Sequence, residues 1–283
     1  MKRKRSNWVL LAPLYVFTLV FVAFPILYMF ALSFLQRAKV WGVDLSFTTA
    51  NYMRVWEPLY RETFQESLLL AFSTTILCIL FGYPMGYFMS RLGARWKKRL
   101  MLLITIPFWV SALLRLYGWI IVFQSNGVLD KLLMGVGLTD KPLKLLYSYP
   151  AVLVGMTYAL LPFMVLAVYS SAEKMDWHLV EASRDLGASK FMAFRTVILP
   201  MTLPGLLSGI ILTFIPSMGL FFIAEILGGN KIVLVGTVIQ EQMTRGRNLP
   251  FAAAMSTVLL ILTTLFMAIY RKITGTGELE GIV

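Results

Sequence analysis

Residues 68–90 read LLLAFSTTILCILFGYPMGYFMS, an apolar run that contains no charged side chain. A helix of about 20 such residues crosses a hydrocarbon core, where the absence of water requires the backbone to form its hydrogen bonds within the segment. Further runs of this kind lie near residues 9–35, 100–123, 148–171, 203–225 and 251–271. The sequence therefore predicts an all-α membrane protein with six transmembrane helices.

The composition supports this fold class. Hydrophobic residues make up 58% of the 283 positions and charged residues 14%, whereas soluble domains have about 45–50% and about 25%. These values disfavour a soluble enzyme and a disordered chain, and the single cysteine, Cys78, allows no disulfide scaffold. Since the chain has no internal repeat and no low-complexity linker, one transmembrane domain is predicted over residues 1–283.

The basic residues predict the orientation. The net charge is +12, but Lys and Arg cluster at the ends of the apolar runs, which indicates topology signals and lipid headgroup contacts rather than nucleic-acid binding. The segments 1–8, 91–99, 172–202 and 271–283 carry 15 of them in 61 residues, and the segments of the other side carry 10 in 84. Both termini are therefore predicted to be cytoplasmic. The first run, too long for a cleavable signal, is predicted to be an uncleaved anchor.

The segments on the outer side predict two further helices. One is a short surface helix from Tyr52 to Glu66, and the other is an amphipathic helix from Val128 to Met134. Several spans contain residues that can interrupt a helix: Gly82, Pro84, Gly86, Pro107, Pro162, Gly209, Pro216 and Gly219. They fit either ordinary membrane-helix composition or bent helices that line a transport path.

The cytoplasmic loop 172–202 predicts two short helices that meet at Gly187. Asp176 can cap the first helix, and Gly187 can end it because glycine adopts the left-handed conformation of a C-terminal cap. Ser189 can begin the second helix. The apolar faces are Leu179, Ala182 and Leu186 on the first helix, and Phe191, Phe194 and Val197 on the second. Such an element fits either a groove on a partner protein or the lipid surface.

This loop resembles the signature of permease subunits in ATP-binding cassette (ABC) importers. That signature is Glu-Ala-Ala, three residues, Gly, nine residues, Ile, one residue and Leu-Pro. The matching positions are Glu181, Ala182, Ser183, Gly187, Val197, Leu199 and Pro200. Ser183 replaces the second alanine and Val197 replaces the isoleucine, and both changes leave the spacing intact.

Other segments are similar to polyamine permeases of the same class, over roughly residues 50–270. They are Pro107-Phe108-Trp109 with Leu114-Arg115-Leu116-Tyr117-Gly118, Leu160-Leu161-Pro162-Phe163-Met164, Asp185-Leu186-Gly187-Ala188-Ser189-Lys190, Met218-Gly219-Leu220-Phe221 and Leu227-Gly228-Gly229. The chain thus resembles the spermidine/putrescine permeases. This resemblance implies a type I ABC importer permease in the inner membrane of a bacterium.

The resemblance also implies the partners. Such importers combine two permeases, usually different chains, with two ATPase subunits and an external polyamine-binding protein. The sequence lacks a Gly-x-x-x-x-Gly-Lys-[Ser/Thr] phosphate loop, so ATP and Mg are expected on the ATPase, and neither a cofactor nor an enzymatic activity is expected on this chain. The resemblance assigns coupling to the ATPase to Glu181, Ala182, Ser183, Leu186 and Gly187.

A path for a polyamine calls for acidic or aromatic groups, because both attract cations. Glu225, near the outer end of the fifth run, is the candidate carboxylate, with an interfacial residue exposed to water as the alternative. The candidate aromatic residues are Phe221, Phe222, Trp109, Tyr117 and Trp119. Arg115 would repel a cation and is costly at membrane depth. It is therefore expected to be a structural partner, either of Glu225 or of a carboxylate on the second permease.

Three alternatives remain at this stage. The first is an importer of the same class with a different small cargo. The second is a secondary transporter or channel, against which the absence of a repeat counts. The third is an intramembrane enzyme, against which the absence of paired catalytic residues counts. His178 is the only histidine, so neither a histidine-based metal site nor a catalytic triad can be built.

Overall fold

The computed structural model describes residues 3–38, 42–229 and 231–274. Within these ranges, six helical runs are long and apolar enough to cross a membrane: Leu11–Leu32, Pro58–Ser90, Ala112–Gly135, Tyr149–Glu173, Lys190–Gly219 and Leu249–Lys272. The prediction of an all-α protein with six spans is confirmed. The residue contacts form two units, one of residues 3–62 with 237–274 and one of residues 63–236.

The described elements follow one another with few long connections. In chain order, the helices are α1 (Arg3–Thr18), α2 (Phe24–Leu32), α3 (Ala50–Val55), α4 (Pro58–Ser90), α5 (Ala94–Thr105), α6 (Ala112–Phe123), α7 (Val128–Gly135), α8 (Tyr149–Glu173), α9 (His178–Asp185), α10 (Lys190–Ala193), α11 (Leu199–Gly219), α12 (Phe221–Gly228), α13 (Val235–Thr244) and α14 (Leu249–Thr274). Leu19–Ala23 and Phe194–Ile198 are π-helical, and Ile106–Trp109 is a 3₁₀ turn. β1 (Leu35–Arg37) and β2 (Val43–Phe47) form an antiparallel hairpin.

In the first unit, α14 contacts α2, α3 and β1. The guanidinium carbon of Arg54 lies 4.5 Å from the ring centroid of the fully buried Phe251. Nη2 of Arg54 donates a hydrogen bond of 3.0 Å to the hydroxyl of Tyr60. This cation–π contact, with the hydrogen bond beside it, joins the segment before α4 to the start of α14.

In the second unit, α8 is the central helix and packs against α11 and α12. Small residues make this close approach possible. A Cβ atom at Gly205 would lie 2.5 Å from the backbone oxygen of Ala167, and one at Gly86 would lie 2.7 Å from that of Val165. A Cβ atom at Gly209 would lie 2.5 Å from the Met164 sulfur. Two of the glycines that could interrupt a helix, Gly86 and Gly209, are therefore contact positions inside the continuous helices α4 and α11.

Three predicted boundaries are wrong. The surface helix Tyr52–Glu66 is instead α3 and the beginning of α4, because Pro58 is suited to start a helix and disfavours helical backbone at the residue before it. The third run, 100–123, is interrupted between α5 and α6, where Pro107 lacks a donor and Val110 and Ser111 are extended or non-helical.

The fifth run, 203–225, also differs from the prediction. The helical run begins at Lys190 and ends at Gly219. Leu220, with φ −82° and ψ 51°, separates α11 from α12. Glu225 therefore lies on a separate short helix rather than on the fifth span.

Candidate coupling element and transport cavity

The helix α9 has a well-formed cap at each end. Oδ1 of Asp176 accepts the backbone N–H of His178 at 3.0 Å. At the other end, Gly187 has φ +89°. Its N–H donates to the Arg184 oxygen at 2.9 Å, and the next N–H donates to the Ser183 oxygen at 3.1 Å. This is the Schellman arrangement, in which a residue with positive φ stops a helix, so both predicted caps are confirmed.

Three side-chain contacts hold the residues before α9 in place. The guanidinium carbon of Arg91 lies 4.8 Å from the ring centroid of Trp177, and the ring of Tyr87 lies 5.9 Å from it. Nζ of Lys97 is 2.8 and 2.9 Å from the two carboxylate oxygens of Glu173. The base of α9 is therefore attached to the connection between α4 and α5 and to the start of α5.

The predicted coupling residues lie together on the exposed side of this turn. Leu186 is 89% exposed, and a Cβ atom on Gly187 would meet nothing within 4 Å. Glu181 and Ala182 are exposed and Ser183 is half-buried. An apolar side chain that is this exposed at the end of a rigid helix is available to a partner. We call α9, the turn 186–189 and α10 the coupling element.

The second helix of the loop is continuous with the fifth membrane run. Ser189 Oγ accepts the N–H of Met192 at 3.2 Å, which confirms the predicted start. The expected common face is wrong, because Phe191 is 74% exposed, whereas Phe194 is half-buried and its ring lies 6.1 Å from that of Tyr83. The π-helical segment that begins at Phe194 changes the helical period and so the face that later residues present.

A cavity of about 300 Å³ lies in the second unit, beside the two interrupted spans. Its lining is apolar and aromatic apart from Arg115 and the Tyr158 hydroxyl. The lining residues are Phe108, Ala112, Arg115, Leu116, Tyr158, Ala159, Leu160, Phe163, Leu212, Pro216, Leu220, Phe222 and Ile223. We call this the Arg115 cavity.

Arg115 faces aromatic rings rather than a carboxylate. Its guanidinium carbon lies 5.8 Å from the Phe108 ring centroid and 5.6 Å from that of Tyr158. Its Nε is buried without a hydrogen-bond partner. Among the described residues, which include both, no ion pair joins Arg115 to Glu225. That expected pairing is wrong, because α12 buries Ile223, Ala224 and Leu227 and leaves Glu225 on its exposed side.

The predicted aromatic residues do not form one group. Phe222 lines the Arg115 cavity, whereas Phe221 packs against Gly236, where a Cβ atom would lie 2.9 Å from the Cβ of Phe221. Trp109 and Tyr117 are 81% and 57% exposed. Trp119 stacks edge-on against Tyr158 at 5.5 Å. Only Phe222 is therefore placed beside Arg115.

Sequence reasoning missed the rings around Arg115 and a buried acid in the loop around α7. Tyr158 and Phe163 belong to the apolar run of α8, and their positions do not distinguish them from the aromatic residues of any buried membrane helix. Asp130 is 3% exposed, and its carboxylate accepts the backbone N–H groups of Asn126 at 2.9 Å and Leu143 at 3.1 Å. It holds together the loop around α7, a helix that matches the predicted Val128–Met134. In the described part of the chain, no group of three or more His, Cys, Asp or Glu residues could hold a metal ion.

Comparison with known proteins gives consistent matches. Residues 79–274 match the model of the family described as "Binding-protein-dependent transport system inner membrane component". The spermidine/putrescine transport system permease protein PotB of Escherichia coli (strain K12) is 40% identical over 264 residues, which cover 92% of this chain and 96% of that protein. PotB of Haemophilus influenzae is 39% identical over 252 residues, which cover 89% of this chain and 88% of that protein.

A solved structure matches the fold. In the crystal structure of a bacterial alginate ABC transporter in complex with an alginate pentasaccharide-bound periplasmic protein, one chain is similar with a TM-score of 0.75 at 15% identity. The match covers 96% of this chain and 95% of that chain. At this identity the likeness concerns the fold, and it confirms the predicted architecture of a type I ABC importer permease.

Proposed function

The chain belongs to the family of inner membrane components of binding-protein-dependent transport systems, and we propose that it is the permease subunit of an ABC importer for spermidine or putrescine. Its place in this family makes it a multi-pass protein of the inner membrane. The observation that supports a polyamine cargo is the 40% identity, over nearly the whole chain, to a permease protein of a spermidine/putrescine transport system.

We infer that the coupling element binds an ATPase subunit. Leu186 would enter an apolar groove of that subunit, and Glu181 would accept a charge-assisted hydrogen bond from it. Ala182 and Ser183 would let the helix approach closely, and Gly187 would hold the turn. The ATPase, expected in two copies, would bind ATP and Mg, and this chain would bind no cofactor and have no enzymatic activity of its own.

The continuity of the fifth helical run supports a mechanical role for this element. Lys190–Gly219 contains 30 residues, which corresponds to about 45 Å at 1.5 Å per residue. The run starts within the coupling element and ends at Gly219, next to Leu220, a lining residue of the Arg115 cavity. Movement of α9 by the ATPase would therefore be transmitted to the cavity, which is what alternating access requires.

The orientation follows from the same assignment. The coupling element must face the cytoplasm, where ATP is bound, and the excess of Lys and Arg on that side agrees. Both termini are then cytoplasmic. The loop around α7 faces outward, towards an external polyamine-binding protein, and Glu225 lies near the outer end of the path.

We propose that Arg115 pairs with a carboxylate of a second permease, expected to be a different chain. Its Nε is buried without a hydrogen-bond partner, and a cation in this position would oppose entry of a cationic cargo unless a carboxylate offset its charge. Arg115→Met should lower co-purification of the second permease while this chain still accumulates in the membrane. Intact assembly and full uptake by Arg115→Met would show that this pairing is wrong.

A different cargo is the second candidate. The chain of similar fold in the alginate transporter belongs to an importer of an acidic polysaccharide, so this fold does not determine the charge of the cargo. Carboxylates that bind a polyamine would then lie on the second permease or on the binding protein.

Uptake of labelled spermidine and putrescine tests the proposal in cells that lack this gene. The wild-type chain should restore uptake. The double variant Glu181→Ala, Gly187→Ala should abolish it while the protein remains in the membrane. Lys174→Ala, which changes an exposed residue of the same loop outside α9, should behave as the wild type. Uptake that never depends on the gene would refute the polyamine cargo, and full uptake by the double variant would refute the coupling assignment.

A further inference from the structure

A second apolar depression lies between the end of α4 and α5. This end of α4 is the one near the coupling element. It has a volume of about 440 Å³, and every lining side chain is apolar: Pro84, Met85, Phe88, Met89, Leu92, Leu100, Leu103, Ile104 and Val165. Phe88 and Leu103 are each 64% exposed, so the depression opens at the surface of the chain. We call it the α4–α5 groove.

A basic rim borders this groove. The segment 91–99 contains five cations and no acidic residue. Two of the cations contact residues outside this segment, Arg91 the Trp177 ring and Lys97 the Glu173 carboxylate. The other three, Arg95, Lys98 and Arg99, are exposed.

Helical spacing aligns two of these cations with the groove. Residues four apart share one stripe of a helix, so Arg95 and Arg99 precede the groove residue Leu103 by two turns and one turn. Trp96 precedes the groove residues Leu100 and Ile104 in the same way, and its ring lies 5.2 Å from the guanidinium carbon of Arg99. An exposed tryptophan between a basic stripe and an apolar one is typical of a headgroup boundary. Lys98 lies off both stripes.

We propose that the α4–α5 groove binds one acyl chain of an anionic phospholipid whose phosphate contacts Arg95 and Arg99. The groove has no polar side chain that would need a hydrogen-bond partner, and its volume is comparable with that of one acyl chain. Its rim carries only positive charge, which complements an anionic headgroup, and basic pockets between membrane helices on the cytoplasmic side recognise such headgroups. A free phosphate ion would leave the apolar part of the groove uncovered.

The position of this lipid gives it a link to transport. It rests on the cytoplasmic orientation proposed above. The segment that holds the headgroup also holds the base of the coupling element, through the Arg91–Trp177 and Lys97–Glu173 contacts. A bound lipid would therefore order the connection from which α9 projects.

The test uses the intact transporter, purified through this chain and reconstituted in an equal mixture of phosphatidylglycerol and phosphatidylcholine. The measurement is the phosphatidylglycerol retained per transporter after re-extraction in detergent. Each basic residue near a membrane surface contributes about fivefold to the affinity for anionic lipid, so Arg95→Gln with Arg99→Gln should weaken retention by about 25-fold. Lys98→Gln, the matched control on the same helix, should change it little.

A groove-filling variant separates the apolar part of the site from its charges. Leu103→Trp should reduce retention of phosphatidylglycerol while Arg95 and Arg99 remain. Equal retention by the wild type and the double arginine variant would overturn the proposal, as would an equal loss with Lys98→Gln. If instead the double variant releases the second permease and keeps its phosphatidylglycerol, the groove is a subunit contact and the lipid assignment is wrong. Loss of uptake in all variants, including Lys98→Gln, would concern the proposed function and not the lipid.

Discussion

The coupling element and the Arg115 cavity differ in how far apart along the chain their residues lie. The coupling element and its capping residue Asp176 lie within 176–193, and the caps are hydrogen bonds between residues two to five positions apart. The cavity collects residues from Phe108 to Ile223, on α6, α8, α11, α12 and the connections beside them. A local pattern can be found in a sequence, whereas a site of the second kind depends on tertiary packing.

Exposure divides the two regions in the same way. In the coupling element, Leu186 is 89% exposed and a Cβ atom on Gly187 would meet nothing within 4 Å. The cavity wall, in contrast, contains buried side chains such as Leu116 and Ile223. Substitutions should therefore act on partner binding in the first region and on folding in the second.

The largest expected effect comes from truncating a leucine of the cavity wall, compared with the same truncation in the coupling element. Leu116 is 2% exposed and Leu186 is 89% exposed. Leu116→Ala should lower the free energy of unfolding by about 2–5 kcal/mol, because it leaves a cavity in packed surroundings. Leu186→Ala should change it by less than about 0.5 kcal/mol but should weaken uptake. Denaturant unfolding of the purified chain in detergent measures the loss of stability, and uptake in cells measures the loss of transport. Equal destabilisation by the two variants would contradict the distinction between a packed cavity wall and an exposed coupling element.

A glycine pair tests the packing of α8 against α11, where the expected effect is smaller. A Cβ atom at Gly205 on α11 would lie 2.5 Å from the Ala167 backbone oxygen on α8, whereas one at Gly118 on α6 would meet nothing within 4 Å. Gly205→Ala should cost about 1–3 kcal/mol, because backbone atoms must move apart. Gly118→Ala should be neutral or stabilise the helix by up to about 1 kcal/mol. Thermal unfolding in detergent compares them, and a harmless Gly205→Ala would mean that α8 and α11 are not closely packed there.

The sequence predicts the number of spans and the caps of the coupling element, because both are local properties. Six apolar runs define six helices without any knowledge of their neighbours. The caps at Asp176, Gly187 and Ser189 follow from residue type and spacing alone. The identification of Glu181 and Gly187 as coupling residues came from resemblance and stays a prediction.

The sequence did not predict the features of the structure that depend on tertiary packing. Hydropathy continues across Pro107 and across Leu220, so the interruptions that create the cavity leave the apolar runs unbroken. The pairing of Arg115 with Glu225 was inferred from charge, although Glu225 turns outward once Leu220 breaks the helix. Gly82 and Gly86 have the residue type of a helix break, although both lie inside the continuous helix α4 at close contacts with α8.

Substitution of Gly187, in the turn of the coupling element, should have a smaller effect. It distinguishes a requirement for positive φ from a steric contact with the ATPase. Gly187 has φ +89° and open space around its Cα atom, so Gly187→Ala is strained by the backbone alone, by about 1–2 kcal/mol. That corresponds to roughly a 5- to 30-fold loss of the competent turn, visible as reduced uptake at unchanged membrane abundance. Gly187→Asn should recover part of the uptake, because asparagine tolerates the left-handed region better. If alanine and asparagine are equally defective, a steric contact with the ATPase, rather than φ, governs this position.

The smallest expected effect concerns the attachment of the coupling element. Lys97 and Glu173 form an ion pair at 2.8 Å whose side chains are 22% and 39% exposed, and exposed pairs contribute about 0.2–1 kcal/mol. Lys97→Gln should lower the free energy of unfolding by that amount at low salt and by less at high salt, since ions screen exposed charges. Lys98→Gln removes a neighbouring cation that lies off this contact and should show no such salt dependence. A loss above this range that persists at high salt would mean that Lys97 acts through packing of its aliphatic stem against α8, so that α9 is attached by burial rather than by charge.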